Sequence, residues 1–169
     1  MHELRVDDVA KRAGVGKAAI YRRYLSKEEL IAAAVQALVE TIVVPDTGDT
    51  RADLLALMRN AVEVYSDPIA SGMQPSLIAF VNADSARAEA WRDGFVNRRR
   101  DALAAVLERG IARGDLRADL DRELALDVLG GPLFYRLLIT GGPIDPALAE
   151  GVVDLVMRGF GPQRSKGTQ

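Results

Sequence analysis

The sequence predicts an all-α protein in which an N-terminal helix-turn-helix domain precedes a helical bundle. Apolar residues recur at helical spacing along most of the chain, and the β-branched pairs fall inside these helical patterns. Aromatic residues make up only 5% of the chain, so the core consists mainly of Ala, Leu, Val and Ile, which favours helices packed on helices. Near the N-terminus, two short amphipathic segments meet at a glycine, which is the pattern of a helix-turn-helix.

Composition narrows the classes of protein to consider. The chain has 169 residues, of which 49% are apolar and 27% charged, and this balance is typical of one or two globular domains. It contains no cysteine, which excludes disulfides and thiolate metal sites and fits a reducing cytoplasm. No apolar run reaches membrane-spanning length, and no signal peptide opens the chain. We therefore expect a cytoplasmic protein with no cofactor, no metal and no membrane partner.

The helix-turn-helix is predicted between Val6 and Tyr24. Ala10 must be small because the second helix crosses the first close to it. Gly14 occupies the turn, where a residue without a Cβ is preferred. Val15 is expected to point inward, and Ile20 is expected to fill the wedge between the two helices. A second helix presented in this way can enter the DNA major groove.

The charge of the same stretch agrees with DNA binding. Residues 5–27 contain seven basic and two acidic side chains, a local charge of +5, whereas the whole chain carries −2. A basic patch on an acidic protein is typical of a phosphate-binding surface. The alternative is a helical hairpin with a solvated basic face. The coincidence of the steric and charge patterns favours the DNA-binding interpretation.

The same stretch carries a motif that resembles a known family. The run Ile-Tyr-Arg-Arg-Tyr at 20–24, followed by Ser-Lys-Glu-Glu-Leu at 26–30, is similar to the signature of TetR/AcrR transcriptional regulators. Two differences stand out, because the family commonly has Ser or Thr at Gly16 and Gly-Thr at Ala18-Ala19. Hydroxyl groups at those positions would cap the recognition helix and bind phosphates. Their absence predicts weaker anchoring to the DNA backbone or a different choice of bases.

The predicted DNA-binding residues lie on the second helix and at the start of the third. Lys17 opens the recognition helix, Tyr21 and Arg22 follow on its exposed face, and Ile20 and Tyr24 face inward. The full predicted set is Lys17, Ala18, Ala19, Tyr21, Arg22, Arg23 and Lys27. Their expected partner is a double-stranded DNA operator.

In the family that the chain resembles, a helix of some fifteen residues precedes the helix-turn-helix and covers its core. Only Met1 to Leu4 stand at that place in this sequence. We therefore expect an N-terminal stretch to be missing. The segment before Lys27 is then expected to be mobile and to bind DNA weakly, since Val9, Ile20, Tyr24 and Leu30 lack full cover.

The remaining helices follow from capping signals and apolar periodicity. Ser26 and Glu29 form a capping box that starts a third helix, which is predicted to end near Val44 before Pro45. The polar loop 46–50 separates the predicted domains, 1–45 for DNA binding and 46–169 for ligand binding and dimerisation. Further helices are predicted at 51–66, 75–83, 86–113, 122–140 and 146–160, with a kink at Gly130-Gly131-Pro132 and a frayed tail after 160.

The last two helices are predicted to form a homodimer interface. The helix at 122–140 is apolar almost all round and must be covered on every side. Burial against the same pair of helices from a second copy would give a two-fold four-helix bundle, which is how the resembling family dimerises. The predicted interface residues are Leu129, Gly130, Leu133, Leu137, Val152, Leu155 and Val156.

A small-molecule effector is predicted to bind in the second domain. Such pockets are mostly apolar with few polar groups. The predicted lining is Met58, Tyr65, Met73, Trp91, Phe95 and Phe134, although each of these residues could equally belong to an ordinary core. The run Arg98 to Arg100 is expected to be a solvated face, and the alternative is an inward Arg98 or Arg99 that binds an anionic ligand. Asp119 or Asp121 is expected to cap a helix rather than to bind calcium.

Three classes of function fit the sequence features to different degrees. A ligand-responsive, dimeric DNA-binding repressor accounts for most of the features, with the helix after Lys27 as the lever that joins both domains. An enzyme would need a base, a nucleophile or a metal, and the only histidine is His2 near the terminus. A helical interaction module without DNA binding is the remaining alternative, which the +5 patch disfavours.

Overall fold

The computed structural model describes residues 5–27, 29–30, 33, 42–66, 89 and 92–162. The chain divides into two compact units, residues 1–41 with 66–99 and residues 42–65 with 100–169. These units differ from the predicted domains, 1–45 and 46–169, chiefly in grouping 66–99 with the N-terminal segment. Every helix or strand element among the described residues is helical, which confirms the predicted all-α class.

The first unit contains the helix-turn-helix. Helix α1 spans Val6–Arg12 and helix α2 spans Lys17–Arg23. Gly14, between them, has a φ of 66°, a left-handed conformation that favours glycine. Val6, Ala10 and Ile20 are buried together, and Val9, Tyr24 and Leu30 pack partly buried against them. The steric roles predicted for Ala10, Gly14 and Ile20 are confirmed. Val15, which was expected to be inward, is 45% exposed, so the prediction for it is wrong: the turn carries its side chain out of the small core.

The capping box at the start of the third predicted helix is present. The Ser26 hydroxyl accepts a hydrogen bond from the Glu29 amide at 3.1 Å. The Glu29 carboxylate accepts one from the Leu25 amide at 2.6 Å, one residue earlier than a standard box would place it. Residues 42–45 are not helical, so the helix ends before the predicted Val44. The β-branched run Ile42-Val43-Val44 before Pro45 disfavours helical backbone.

The described part of the second unit contains four α-helices. The second of them in chain order begins at residue 98, two residues before the unit resumes at residue 100. The four helices are α3 (Thr50–Ser66), α4 (Arg98–Arg113), α5 (Arg122–Tyr135) and α6 (Pro146–Phe160). The predicted helix 146–160 matches α6, and the predicted helix 51–66 begins one residue earlier. The predicted helix 75–83 and the tail after 162 lie outside the described residues.

Two predicted helices contain a change of register. Residues 92–97 are π-helical before α4, and residues 136–140 are π-helical after α5. Pro132, inside α5, has no N–H for the helical ladder, and the wider register begins one turn after it. The predicted kink at 130–132 stays a prediction.

Local signals end and begin these helices. Gly114, with a φ of 82°, follows α4, and the Asp115 and Gly114 amides bond to the carbonyls of Gly110 and Ile111, which is a Schellman motif. The carboxylate of Asp121 caps α5 by accepting from the Leu124 amide at 3.1 Å. The predicted choice of capping for the aspartate run is thereby confirmed at Asp121.

The core of the second unit is aliphatic. It contains one face each of α3 to α6, and its fully buried side chains include Leu54, Met58, Val106, Leu107, Leu129, Val153 and Val156. Surface ion pairs join α3 to α6, with Arg51 to Asp154 at 2.8 Å and Arg59 to Glu150 at 2.8 Å. Hydrophobic burial therefore supplies most of the stability here, because exposed ion pairs contribute little.

Candidate nucleic-acid interface

Helix α2 separates its side chains into a buried and an exposed side. Ile20 is buried against α1, whereas Lys17, Ala18, Tyr21, Arg22 and Arg23 are exposed and Ala19 is half-buried. A seven-residue helix has only two turns, so one anchoring residue leaves the rest of its surface outward. Apart from the half-buried Ala19, the predicted DNA-binding residues of α2 are thus open to solvent. Their contact with DNA stays a prediction.

The N-terminus of α2 has no side-chain cap. Gly16 occupies the N-cap position with extended backbone and offers no hydroxyl to the first-turn amides. The first turn also contains no acidic residue. The weaker anchoring to the DNA backbone stays a prediction.

The basic side chains differ in their surroundings. The Lys17 ammonium lies 3.0 Å and 3.1 Å from the two carboxylate oxygens of Asp7 on α1. The Arg23 guanidinium lies 5.8 Å from the centre of the Tyr24 ring. Arg22 is exposed, and no ion pair to it occurs within the described residues. Lys27 is half-buried, at the start of the helix that follows Ser26. Arg22 is consequently the cation of α2 that is most available to a nucleic acid.

The predicted effector pocket is described in part. Met58 and Tyr65 are buried on one face of α3, and the Tyr65 ring lies 5.5 Å from the half-buried Phe134 ring of α5, tilted by 59°. Met73, Trp91 and the side chain of Phe95 lie outside the described residues. An open cleft of about 510 Å³ lies at the surface between the Gly48 loop, the Gly114 turn and the end of α6, and none of the six predicted residues lines it. The pocket stays a prediction.

The arginine run at 98–100 contains one exposed and one ion-paired residue, and an inward Arg99 that binds an anionic ligand stays a prediction. Arg98 is exposed, as the solvated reading expects. Arg100 instead bridges α4 to α5, with one nitrogen 2.5 Å from Glu123 and another 2.7 Å from Asp127. The hydrogen bond to Asp127, and after it the one to Glu123, raises the pKa of Arg100. Its charge is therefore paired with the protein's own carboxylates.

Sequence reasoning missed a polar anchor around the loop 45–49. Asp53 on α3 is fully buried, and its carboxylate accepts hydrogen bonds from the Thr47 amide at 3.0 Å and the Thr47 hydroxyl at 2.7 Å. Arg109 on α4 donates to the Pro45 carbonyl at 2.5 Å and lies 3.4 Å from Asp46. An aspartate at an apolar helix face was the one available signal. The anchor holds the loop 45–49, which leads into α3.

The predicted dimer residues fall into two groups. Leu129, Leu133, Val152 and Val156 are buried within their own chain, so their side chains form the protomer core. Gly130 and Leu137 are half-buried, and Leu155 is 65% exposed. Within one protomer, α5 packs against α6 and α3. This packing buries the side of α5 and α6 that was predicted to face a second copy. The exposed apolar residues of the pair are Leu124, Tyr135, Leu138, Ile139 and Leu155.

No group of three or more His, Cys, Asp or Glu side chains is placed to hold a metal ion in the described part of the chain. No helix among the described residues is both long enough and apolar enough to span a bilayer.

Comparison with known families matches both parts of the chain. Residues 1–34 match the bacterial regulatory proteins of the tetR family. Residues 44–156 match the tetracyclin repressor-like C-terminal domain. Residues 35–43 lie between the two matches, and the predicted domain boundary at 45/46 falls just inside the second one.

Individual proteins are similar over nearly the whole chain. The HTH-type transcriptional regulator YdeS of Bacillus subtilis is 35% identical over 166 residues, which cover 97% of this chain and 82% of YdeS. A protein of Mycobacteroides abscessus named as the DNA-binding transcriptional repressor TetR is 34% identical over 154 residues, covering 90% and 80% of the two chains. The crystal structure of the TetR family transcription regulator SCO0332 has a TM-score of 0.71 at 32% identity, covering 94% and 88%.

Proposed function

Because the chain belongs to the TetR family of transcriptional regulators, we propose that it is a dimeric repressor whose α2 binds an operator and whose second unit binds a small-molecule effector. It would act in the cytoplasm, where it meets chromosomal DNA. The relative named as a DNA-binding transcriptional repressor supports repression rather than activation. The alternative, a helical interaction module without DNA binding, is not favoured by the family.

The observation that supports the proposed DNA binding is the exposed surface of α2. Lys17, Tyr21, Arg22 and Arg23 stand on that surface, and the helix is fixed to α1 through Ile20. Two positive charges on the last turn also suit the C-terminal end of the helix dipole. An exposed cationic helix held by a small apolar core can enter the major groove with its side chains at base edges or phosphates.

The direct test replaces Arg22 with Ala and measures DNA affinity by fluorescence anisotropy at several salt concentrations. If Arg22 reads a guanine, we expect a loss of about 1–3 kcal/mol on the operator and relaxed specificity at that base pair. If it binds phosphate, affinity falls alike on all sequences and the salt slope decreases by about one. Arg158→Ala on α6, at an exposed arginine outside the interface, is the matched control and should leave affinity unchanged. An unchanged affinity for Arg22→Ala would remove Arg22 from the interface.

We propose that the dimer interface lies on the exposed side of the last two helices. On α5 and its extension, Leu124, Gly131, Tyr135 and Ile139 recur at spacings of four and seven residues and are all exposed. Apart from the neighbouring turns of its own helix, no atom of the described residues lies within 4 Å of a Cβ built at Gly131, which leaves room for a second copy to approach the backbone there. We place the interface on this stripe and on Leu155 of α6, rather than on the buried Leu129, Leu133, Val152 and Val156.

The effector is proposed to be largely apolar and to lie next to α3. Met58 and Tyr65 stand one above the other on α3, and Tyr65 contacts the Phe134 ring. Aromatic rings in a mostly aliphatic core favour flat or extended apolar ligands. By linkage, an effector that releases DNA must bind DNA-bound protein more weakly by the same factor. Equal effector affinity with and without DNA would contradict the proposed release mechanism.

A further inference from the structure

Asp7 is an acidic residue in the middle of the basic surface. It lies in the first turn of α1, and its two carboxylate oxygens are 3.0 Å and 3.1 Å from the Lys17 ammonium at the start of α2. The two side chains are each 51% exposed, so the pair is open to solvent and to any ligand that approaches α2. Lys17 is thus already paired in the free protein.

The neighbouring acidic residue behaves differently. Asp8 is also exposed and also lies in the first turn of α1, so it has the same charge and nearly the same relation to the helix dipole. No ion pair to Asp8 occurs in the part of the chain that the structure describes. The two aspartates therefore differ mainly in whether they hold the lysine.

An exposed lysine–carboxylate pair is weak and exchangeable. Such pairs gain little because water screens them and because two side chains must be held in place. A DNA phosphate that comes within reach of the Lys17 ammonium can take the place of the carboxylate, but the Asp7 charge then stays near the phosphate and repels it. Both effects reduce the benefit of the Lys17–phosphate contact.

We propose that Asp7 competes with DNA phosphates for the Lys17 ammonium and so sets how strongly α2 holds the DNA backbone. Asp7 acts here as a positioning residue, through Lys17, and its action is electrostatic. This inference rests on the proposed DNA-binding function. It adds a tuning residue on α1 that the exposed face of α2 alone does not reveal.

The test measures binding to a fluorescein-labelled duplex of random sequence, of about 30 base pairs so that it spans nearly three helical turns. The variants are Asp7→Asn, the matched control Asp8→Asn, Lys17→Ala and the two double variants that combine Lys17→Ala with each asparagine. Anisotropy is read between about 50 and 200 mM salt, where phosphate contacts weaken steeply. Circular dichroism melting shows whether each variant keeps its helices.

The expected result is a difference between the two aspartates that depends on Lys17. Asp8→Asn should raise affinity about twofold, because it removes one distant negative charge. Asp7→Asn should raise it about five- to tenfold and steepen the salt slope by up to about one, because the freed ammonium joins the phosphate contacts. In the Lys17→Ala background, the two asparagine variants should bind equally.

Two other results are distinguishable. Equal gains from Asp7→Asn and Asp8→Asn with Lys17 present would overturn the competition while leaving DNA binding intact. A wild-type chain that binds no duplex even at low salt would overturn the proposed function itself, and the competition with it.

Discussion

Asp53 is a buried carboxylate that binds the loop preceding α3. It is fully buried on α3, and its carboxylate accepts hydrogen bonds from both the amide and the hydroxyl of Thr47 in the preceding loop. The Arg109 guanidinium lies 3.9 Å from its second oxygen. A buried carboxylate is tolerated only where hydrogen bonds and a cation replace water.

Replacing Asp53 with Ala should lower the free energy of unfolding by about 1–3 kcal/mol, because the Thr47 amide and hydroxyl lose their acceptor. Urea unfolding followed by circular dichroism measures the change. Asp119→Ala is the control, since this exposed carboxylate pairs only at the surface with Arg117 and should change stability by less than about 0.5 kcal/mol. Equal effects of the two changes would mean that the Thr47 bonds do not hold the loop.

Gly110 is a glycine whose position matters for packing. It lies inside α4, where alanine is ordinarily the better helix former by about 1 kcal/mol. A Cβ at Gly110 would lie 2.7 Å and 2.8 Å from the side-chain atoms of the buried Thr50. Thr50 cannot turn away, because its hydroxyl donates to Asp115 at 2.7 Å and accepts from Arg113 at 2.8 Å.

Gly110→Ala should therefore destabilise the protein by about 1–3 kcal/mol despite the gain in helix propensity. Gly159→Ala on α6 is the comparison, since among the described residues beyond its own helix turn no atom lies within 4 Å of a Cβ there, and the change should be neutral or stabilising. Thermal unfolding of both variants decides the matter. A higher melting temperature for Gly110→Ala would show that α4 can move away from α3 at little cost.

Residue roles were predictable where they depended on local backbone. Gly14, the Ser26–Glu29 capping pair and Gly114 act within one turn of chain, so their residue types suffice to identify them. Thr50 and Gly110 are 60 residues apart in the sequence, and Asp7 pairs with Lys17 across a turn. These contacts depend on how helices cross, which spacing along one chain does not determine.

At the scale of the helix, hydrogen bonds among Thr50, Arg113 and Asp115 join the start of α3 to the turn after α4. We call these three residues the clasp. Gly114 reverses the chain, and this lets the Asp115 carboxylate reach Thr50 while Arg113 binds both. The hydrogen bond from Thr50, and then the one from Arg113, hold the pKa of Asp115 below its ordinary value of 3.8. Because the folded-state pKa is the lower one, the clasp stabilises the fold at every pH above the unfolded-state value.

Asp115→Asn should therefore destabilise the protein at neutral pH, and its deficit should shrink as pH falls from about 4 to 2, where the wild-type carboxyl also becomes neutral. Urea midpoints across this range measure the deficit. Asp101→Asn, which removes an exposed carboxylate from α4, is the control for the loss of one charge. A deficit that stays constant down to pH 2 would contradict the charged clasp.

Whole helices were predicted closely where caps bound them, and less well where apolar residues surround them. The predicted 146–160 agrees with α6 because Asp145 and Pro146 mark its start. Helix α5 is apolar almost all round, so its pattern does not say which side the chain itself covers. The structure covers Leu129 and Leu133 and exposes Leu124, Tyr135 and Ile139.

At the scale of the whole molecule, the exposed stripe predicts a second copy. Leu155→Glu should place a charge in the proposed seam and give monomers, because an unpaired buried charge strongly disfavours association. Ala56→Glu, on an exposed position of α3, should leave the dimer intact. Light scattering at micromolar concentration distinguishes the two. A Leu155→Glu variant that remains dimeric would move the interface away from α6, and a monomeric wild type would remove the dimer.

The most direct test of the proposed function selects DNA from a random pool with the immobilised wild-type chain and with Arg22→Ala, then sequences what is retained. We predict that the wild type enriches one motif with two inverted half-sites about one helical turn apart, as a two-fold dimer requires. Arg22→Ala should enrich that motif less or not at all. No enrichment by the wild type, or the same motif enriched equally by Arg22→Ala, would contradict operator binding through α2.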